Sequence, residues 1–195
     1  MKNLKFILFG IFLIANQVFG QLKPVQYKDG SQILNGYKIS PSKKNTQKSG
    51  ILILPAWKGI DNLSKDTAET LSKMGYYAFI ADIYGEGNYP KDNSEAGKIA
   101  GFYKKDFEAY QKRISLALQQ LIEAGANPEN IVVIGDCFGG TGALEAVRGN
   151  LKVKGAVSFH GGLGKDETRP TKTITAKVLV CHGADYPYES KEEIT

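Results

Sequence analysis

Apolar runs of strand length recur along the chain, at residues 50–57, 76–81, 131–134, 154–159 and 176–181. Those around residues 50, 76 and 131 are continuous rather than alternating, the pattern of strands covered on both faces. Between the runs lie segments of helical spacing. Residues 61–74 predict a helix closed by Gly75, and residues 107–124 place Ile114, Leu118, Leu121 and Ile122 on one stripe before Gly125. Residues 141–147 predict a third helix. Upstream, residues 25–40 alternate around Asp29-Gly30 and Asn35-Gly36, two turn pairs that predict short antiparallel strands. Residues 41–49 are polar and loop-like. Residues 82–101, rich in Gly, Tyr and charge without a clean period, predict a surface excursion. Strands alternating with helices give an α/β fold: one domain, a mostly parallel sheet and helices on both faces.

The first twenty residues stand outside this pattern. Lys2 and Lys5 precede an apolar run at residues 6–15, and Val18 and Gly20 supply small residues ahead of Gln21. This is the order of a secretory signal, residues 1–20. The run is well short of the roughly 20 apolar residues that span a bilayer. The expectation is cleavage before Gln21 and export to the periplasm or the extracellular space. The mature domain, residues 21–195, then has no stable membrane insertion; an uncleaved anchor is the alternative.

Composition acts mainly by exclusion. With 195 residues, 42% hydrophobic and 23% charged, the chain can bury a real core and is not disordered. Two cysteines in this length staple little, which excludes a disulfide scaffold. The net charge of +5 is small and evenly spread, and two of its lysines lie in the leader, which argues against nucleic acid or an anionic membrane as partner.

In open parallel sheets, sites form beyond the carboxyl ends of the strands. Three such ends are chemically unusual. After the strand at 131–134 comes Gly135-Asp-Cys-Phe-Gly-Gly140, leading straight into a helix. This is the nucleophile-elbow spacing, with Cys137 in the place of serine. A sharp turn excludes bulky side chains two residues either side, and the helix N-terminus favours thiolate. The Phe138 N–H would then point where an oxyanion forms. The competing reading is a small buried cysteine in a Gly-rich turn. Neither G-x-G-x-x-G nor a phosphate loop is met, and no cofactor or metal is assigned. The second end is Cys181-His182-Gly183-Ala184-Asp185, where Asp185 follows a strand and occupies the acid position in the order nucleophile, acid, histidine; a turn-forming aspartate is the alternative. The third is the loop 54–59, where the backbone N–H near Trp57 would supply the other oxyanion donor, with Trp57 equally readable as a pocket wall or a core residue.

These segments carry a resemblance. Pro55-Ala-Trp-Lys-Gly59, Ala81-Asp-Ile-Tyr-Gly-Glu-Gly87, Gly135-Asp-Cys-Phe-Gly-Gly140, Ser158-Phe-His-Gly-Gly162 and His182-Gly-Ala-Asp185 follow one another as in dienelactone hydrolase family proteins. The resemblance implies an α/β-hydrolase that cleaves an ester or lactone of a small-molecule substrate through a Cys–His–Asp triad. It implies Cys137 as nucleophile and Asp185 as triad acid. Three features depart from the resemblance. The first-loop glutamate that often pairs with the cysteine in the family is Ala56 here, and Gly85-Glu86-Gly87 lacks the arginine with which the enzyme that names the family holds a carboxylate. Asp136 also sets a negative charge beside the thiol, which opposes the thiolate.

The triad histidine should follow Asp185, yet the two histidines, His160 and His182, both precede it. Ser190-Lys-Glu-Glu193 has the form of a capping box that opens a helix. The expectation is therefore a domain incomplete at its C-terminus, with the histidine beyond residue 195. His160 and His182 are the weaker candidate bases, each more readily structural. Cys181 is expected to be a buried structural thiol. A non-catalytic binding protein on a degenerate hydrolase scaffold is the competing function, and a thiol–redox role is disfavoured by the absence of a C-x-x-C partner.

Overall fold

The computed structural model describes residues 20–165, 168–170 and 172–183. Residues 1–19, Asp185 and the 190–193 capping box lie outside the described residues, so the leader, the triad acid and the final helix start are not placed. Strands β1 (Lys23–Asp29) and β2 (Gln32–Ile39) form a hairpin, followed by β3 (Gly50–Leu54), helix α1 (Asn62–Met74) and β4 (Tyr77–Ile80). Helices α2 (Asn93–Lys105) and α3 (Phe107–Glu123) come next. Then follow β5 (Ile131–Asp136), α4 (Phe138–Arg148), β6 (Gly155–Phe159) and β7 (Lys177–Cys181). The seven described strands lie in one sheet in the order β1-β2-β4-β3-β5-β6-β7. Pairing is antiparallel from β1 through β2 to β4 and parallel from there on.

The chain leaves β3 for β4 on one side and returns to β5 on the other. Right-handed crossovers in opposite directions put the connecting helices on opposite faces. Accordingly, α1 packs over Ile51, Ile53, Ala78 and Ile80 on one face. Tyr110, Ile114, Ala117 and Leu121 of α3, with Ala143, Ala146 and Val147 of α4, cover Leu52, Phe79, Ile131 and Val133 on the other. Helix α1 begins at a complete capping box, with the Asp61 side chain accepting from Ser64 N–H, and ends at Gly75 with φ 102°. It turns only Ser64, Ala68 and Ser72 fully inward, so small residues let it lie close to the sheet.

Two expectations are corrected. Asn35-Gly36 is not a turn but lies inside β2. A Cβ on Gly36 would come within 2.7 Å of the Ile80 carbonyl oxygen, so the missing side chain serves close approach to β4. The 82–101 excursion contains most of α2. That helix is capped by Asp92, whose side chain accepts from Glu95 N–H, and buries Ala96, Ala100 and Tyr103 against the core. Among the described residues no helix is long and apolar enough to cross a membrane.

Candidate active site

The strand order reverses between β3 and β5, and their carboxyl ends carry the loops 55–59 and 135–140. A crevice at such a switch point is where ligands bind in open α/β sheets. The parallel register aligns these ends, pairing Leu54 with Gly135 and Asp136 with Phe159, and Phe159 with Cys181 in turn. Backbone bonds carry the alignment past the strands: Cys137 N–H donates to the Phe159 carbonyl at 3.0 Å, and His160 N–H to the Cys181 carbonyl at 2.8 Å. Cys137, His160 and His182 thus stand one residue beyond three neighbouring strand ends.

Cys137 links β5 to α4 with φ 52° and ψ −114°, a left-handed conformation that a side chain enters at a cost of about 1–3 kcal/mol. The surrounding glycines make it possible. A Cβ on Gly135 would lie 2.0 Å from the Gly139 carbonyl oxygen, and one on Gly139 would lie 2.0 Å from the Leu54 carbonyl oxygen. The helix therefore starts directly against the end of β3, closer than any side chain permits. Cys137 is partly buried and makes no side-chain cap bond, and it stands at the N-terminus of a helix buried along ten of its eleven residues. The Phe138 N–H belongs to the first-turn donors that the helix leaves unpaired.

Beneath the turn lies an aromatic wall that no local pattern in the sequence announces. Phe138 stacks on Tyr110 with centroids 4.6 Å apart and planes 4° from parallel, a geometry worth about 0.5–1.5 kcal/mol beyond area burial. The Tyr110 hydroxyl donates to the Phe138 carbonyl at 2.9 Å. Tyr84 lies 5.7 Å from Phe138, centroid to centroid, and its hydroxyl donates to the Trp57 carbonyl at 2.7 Å. Burial, with lesser contributions from Tyr103 and Cys137, holds the Tyr84 phenol well above its usual range, so it remains a neutral donor. Trp57, partly buried, packs against the core cluster and approaches Gly97 of α2, which favours the wall and core readings of its ring. Its backbone remains in the loop beside the elbow.

An apolar cavity of about 190 Å³ opens beside the elbow, lined among others by Ala56, Leu63, Thr67, Ile134, Asp136 and Phe159. Ala56, the position of the family glutamate, therefore contributes a methyl group to a hollow rather than a carboxylate to the thiol. Asp136 is held by His160, whose Nε2 lies 2.8 Å from its Oδ1. Cys181 is exposed, contrary to expectation, because all five residues of β7 are exposed at the end of the described sheet. Both cysteines are free thiols. Among the described residues no group of three His, Cys, Asp or Glu side chains could hold a metal ion.

A mostly parallel sheet with helices on both faces, bent by a strained residue into a glycine-flanked helix start, defines the α/β-hydrolase class. Within it, the chain belongs to the dienelactone hydrolase family, whose pattern matches residues 34–193. Two solved structures are 28% identical and each covers 89% of this chain and 73% of its own. They are m3DLH, with a TM-score of 0.78, and a dienelactone hydrolase-like promiscuous phosphotriesterase, P91, from metagenomic libraries, with a TM-score of 0.80. A Bradyrhizobium protein described as "Probable 2-oxo-3-(5-oxofuran-2-ylidene)propanoate lactonase" is 30% identical over 127 residues, 64% of this chain. The chain spans half the length of that curated relative.

Proposed function

We propose that the protein is a hydrolase of carboxylic ester or lactone bonds in a small-molecule substrate, with Cys137 as the nucleophile. The observation that carries this reading is the strained turn of Cys137 at the switch point, which a structural cysteine would not require. The Cys137 thiolate adds to the substrate carbonyl, and the oxyanion sits against the N–H groups of Phe138 and Trp57. Collapse expels the alkoxide, which takes up a proton, and leaves a thioester on Cys137. Water then adds to the thioester and releases the acid and the thiol. Asp185 orients a histidine that moves these protons. The lactonase and phosphotriesterase relatives support hydrolysis at an electrophilic carbonyl or phosphoryl centre. The leader order in residues 1–20 supports export to the periplasm or the extracellular space, with residues 21–195 as the hydrolase domain.

The test is acyl transfer from p-nitrophenyl acetate. The expected result is a burst of p-nitrophenolate with a matching acetyl adduct mapped by mass spectrometry to Cys137, absent in Cys137→Ala. Equal p-nitrophenolate release by Cys137→Ala would remove the nucleophile. The competing reading, a binding protein on this scaffold, is favoured by the Ala56 methyl where the family carries a carboxylate. It expects no adduct in either protein.

A further inference from the structure

We propose that His160 is a positioning residue for the Cys137 reaction: its imidazole engages the Asp136 carboxylate and offsets a charge that would otherwise oppose the anionic sulfur. The inference rests on the nucleophile reading of Cys137. Asp136 is the last residue of β5 and directly precedes Cys137. A carboxylate on the residue before the nucleophile opposes the build-up of negative charge during attack, since like charges repel.

The fold answers this from the next strand. His160 Nε2 lies 2.8 Å from Asp136 Oδ1. As an imidazolium it cancels the charge; as a neutral N–H donor it ties up the lone pair. Reaching that point takes an unfavourable backbone, because His160 has φ 39°, a region that favours glycine. Several contacts hold the turn there. Its N–H donates to the Cys181 carbonyl at 2.8 Å, and Gly162 N–H donates to the Thr141 hydroxyl at 2.9 Å. A Cβ on Gly161 would lie 2.3 Å from the Gly140 carbonyl carbon. The β6 turn and the start of α4 are thus pressed backbone to backbone, which fixes the backbone of His160 beside the strand that ends at Asp136. Strain at both Cys137 and His160, two residues joined through the Asp136 contact, fits one device better than two accidents.

The experiment measures second-order alkylation of Cys137 at neutral pH, by peptide mapping, with neutral iodoacetamide and anionic iodoacetate. The variants are His160→Asn, Asp136→Asn and the double variant; asparagine tolerates the positive φ at 160 but is too short to replace the imidazole. In His160→Asn the iodoacetamide rate should fall about three- to tenfold, the effect of one nearby charge in a partly solvated site, and the iodoacetate rate further. Adding Asp136→Asn should restore both rates to within about twofold of the parent. Asp136→Asn alone should react at least as fast as the parent. A double variant as slow as His160→Asn, or an Asp136→Asn protein slower than the parent, would show a structural staple and overturn the inference. If Cys137 of the parent reacts no faster than the exposed Cys181, the nucleophile reading itself fails, and this inference with it.

Discussion

At Cys137 the backbone conformation and the proposed chemistry pull against stability. A side chain at φ 52° is strained, whereas glycine is not. Relief of about 1–3 kcal/mol exceeds the roughly 0.5–1 kcal/mol that glycine loses in conformational entropy. Cys137→Gly should therefore be more stable than Cys137→Ala by about 1 kcal/mol in urea unfolding, although neither can form an acyl adduct. Equal midpoints for the two would mean that the strain does no more than match glycine's entropic cost. The position of Cys137 was legible in the sequence because the spacing of small residues around it reflects contacts of about 2 Å that only glycine survives. The pairing of Asp136 with His160 was not, because it depends on the register that sets Asp136 opposite Phe159. Tyr84 illustrates the same limit: nothing local announces that its hydroxyl reaches back to Trp57. With that bond removed, Tyr84→Phe should slow acylation of Cys137 about tenfold, as expected when an oxyanion donor is loosened rather than lost. Its thermal midpoint should move little; an unchanged acylation rate would sever Tyr84 from the site.

At the scale of elements, α4 is the piece that everything else positions. It touches β3, β5 and β6 and packs on α3, so its start cannot shift without disturbing four neighbours. Gly139→Ala should destabilise by about 3 kcal/mol, the upper end of overpacking costs, because the new methyl meets the rigid Leu54 carbonyl rather than a flexible side chain. A midpoint in urea within 0.5 kcal/mol of the parent, roughly the noise of such melts, would show that the β3 end yields. The parallel strands and helices α1 and α3 were readable from continuous apolar runs, stripe spacing and closing glycines. Helix α2 is not predicted by apolar periodicity although other signals are present: Asp92 with Glu95 three residues later, and Ala96, Ala100 and Tyr103 on one face. Alanines bury little area, so the stripe is weak in hydrophobicity even where it is geometrically regular. Cys181 failed for the opposite reason, since an apolar run reads as covered whether or not a neighbour covers it.

Across the whole molecule, the connection from β6 to β7 is tied to α4 by ionic contacts around Glu145. Arg169 donates to both Glu145 oxygens at 3.0 and 2.9 Å, Arg148 donates at 3.1 Å and Gln111 at 3.0 Å. Burial pushes this carboxyl up, but the donated bonds outweigh it and hold its pKa below the ordinary 4.5. A carboxylate held below its unfolded value adds stability above that value, and the contribution drains away as pH falls through the folded one. Glu145→Gln should thus cost about 3 kcal/mol at pH 7, where two mostly buried arginines lose their counter-charge. Urea melts at descending pH should show the gap between variant and parent closing below pH 4.5. A gap that is constant with pH would assign the loss to packing instead.

The backbone bonds that join the strand ends beyond the sheet also bear on the order in which the molecule assembles. The Cys137 N–H finds its partner only on β6, and α4 finds its seat only when β3 and β5 are already paired. Completion of the turn is therefore expected late, on the native side of the folding barrier. Strain acquired late is released early on the way out. In a chevron experiment, Cys137→Gly should slow unfolding relative to Cys137→Ala while leaving the refolding limb almost unchanged. The strained turn would then set the lifetime of the folded protein, leaving the speed of its formation to the strands that seat it.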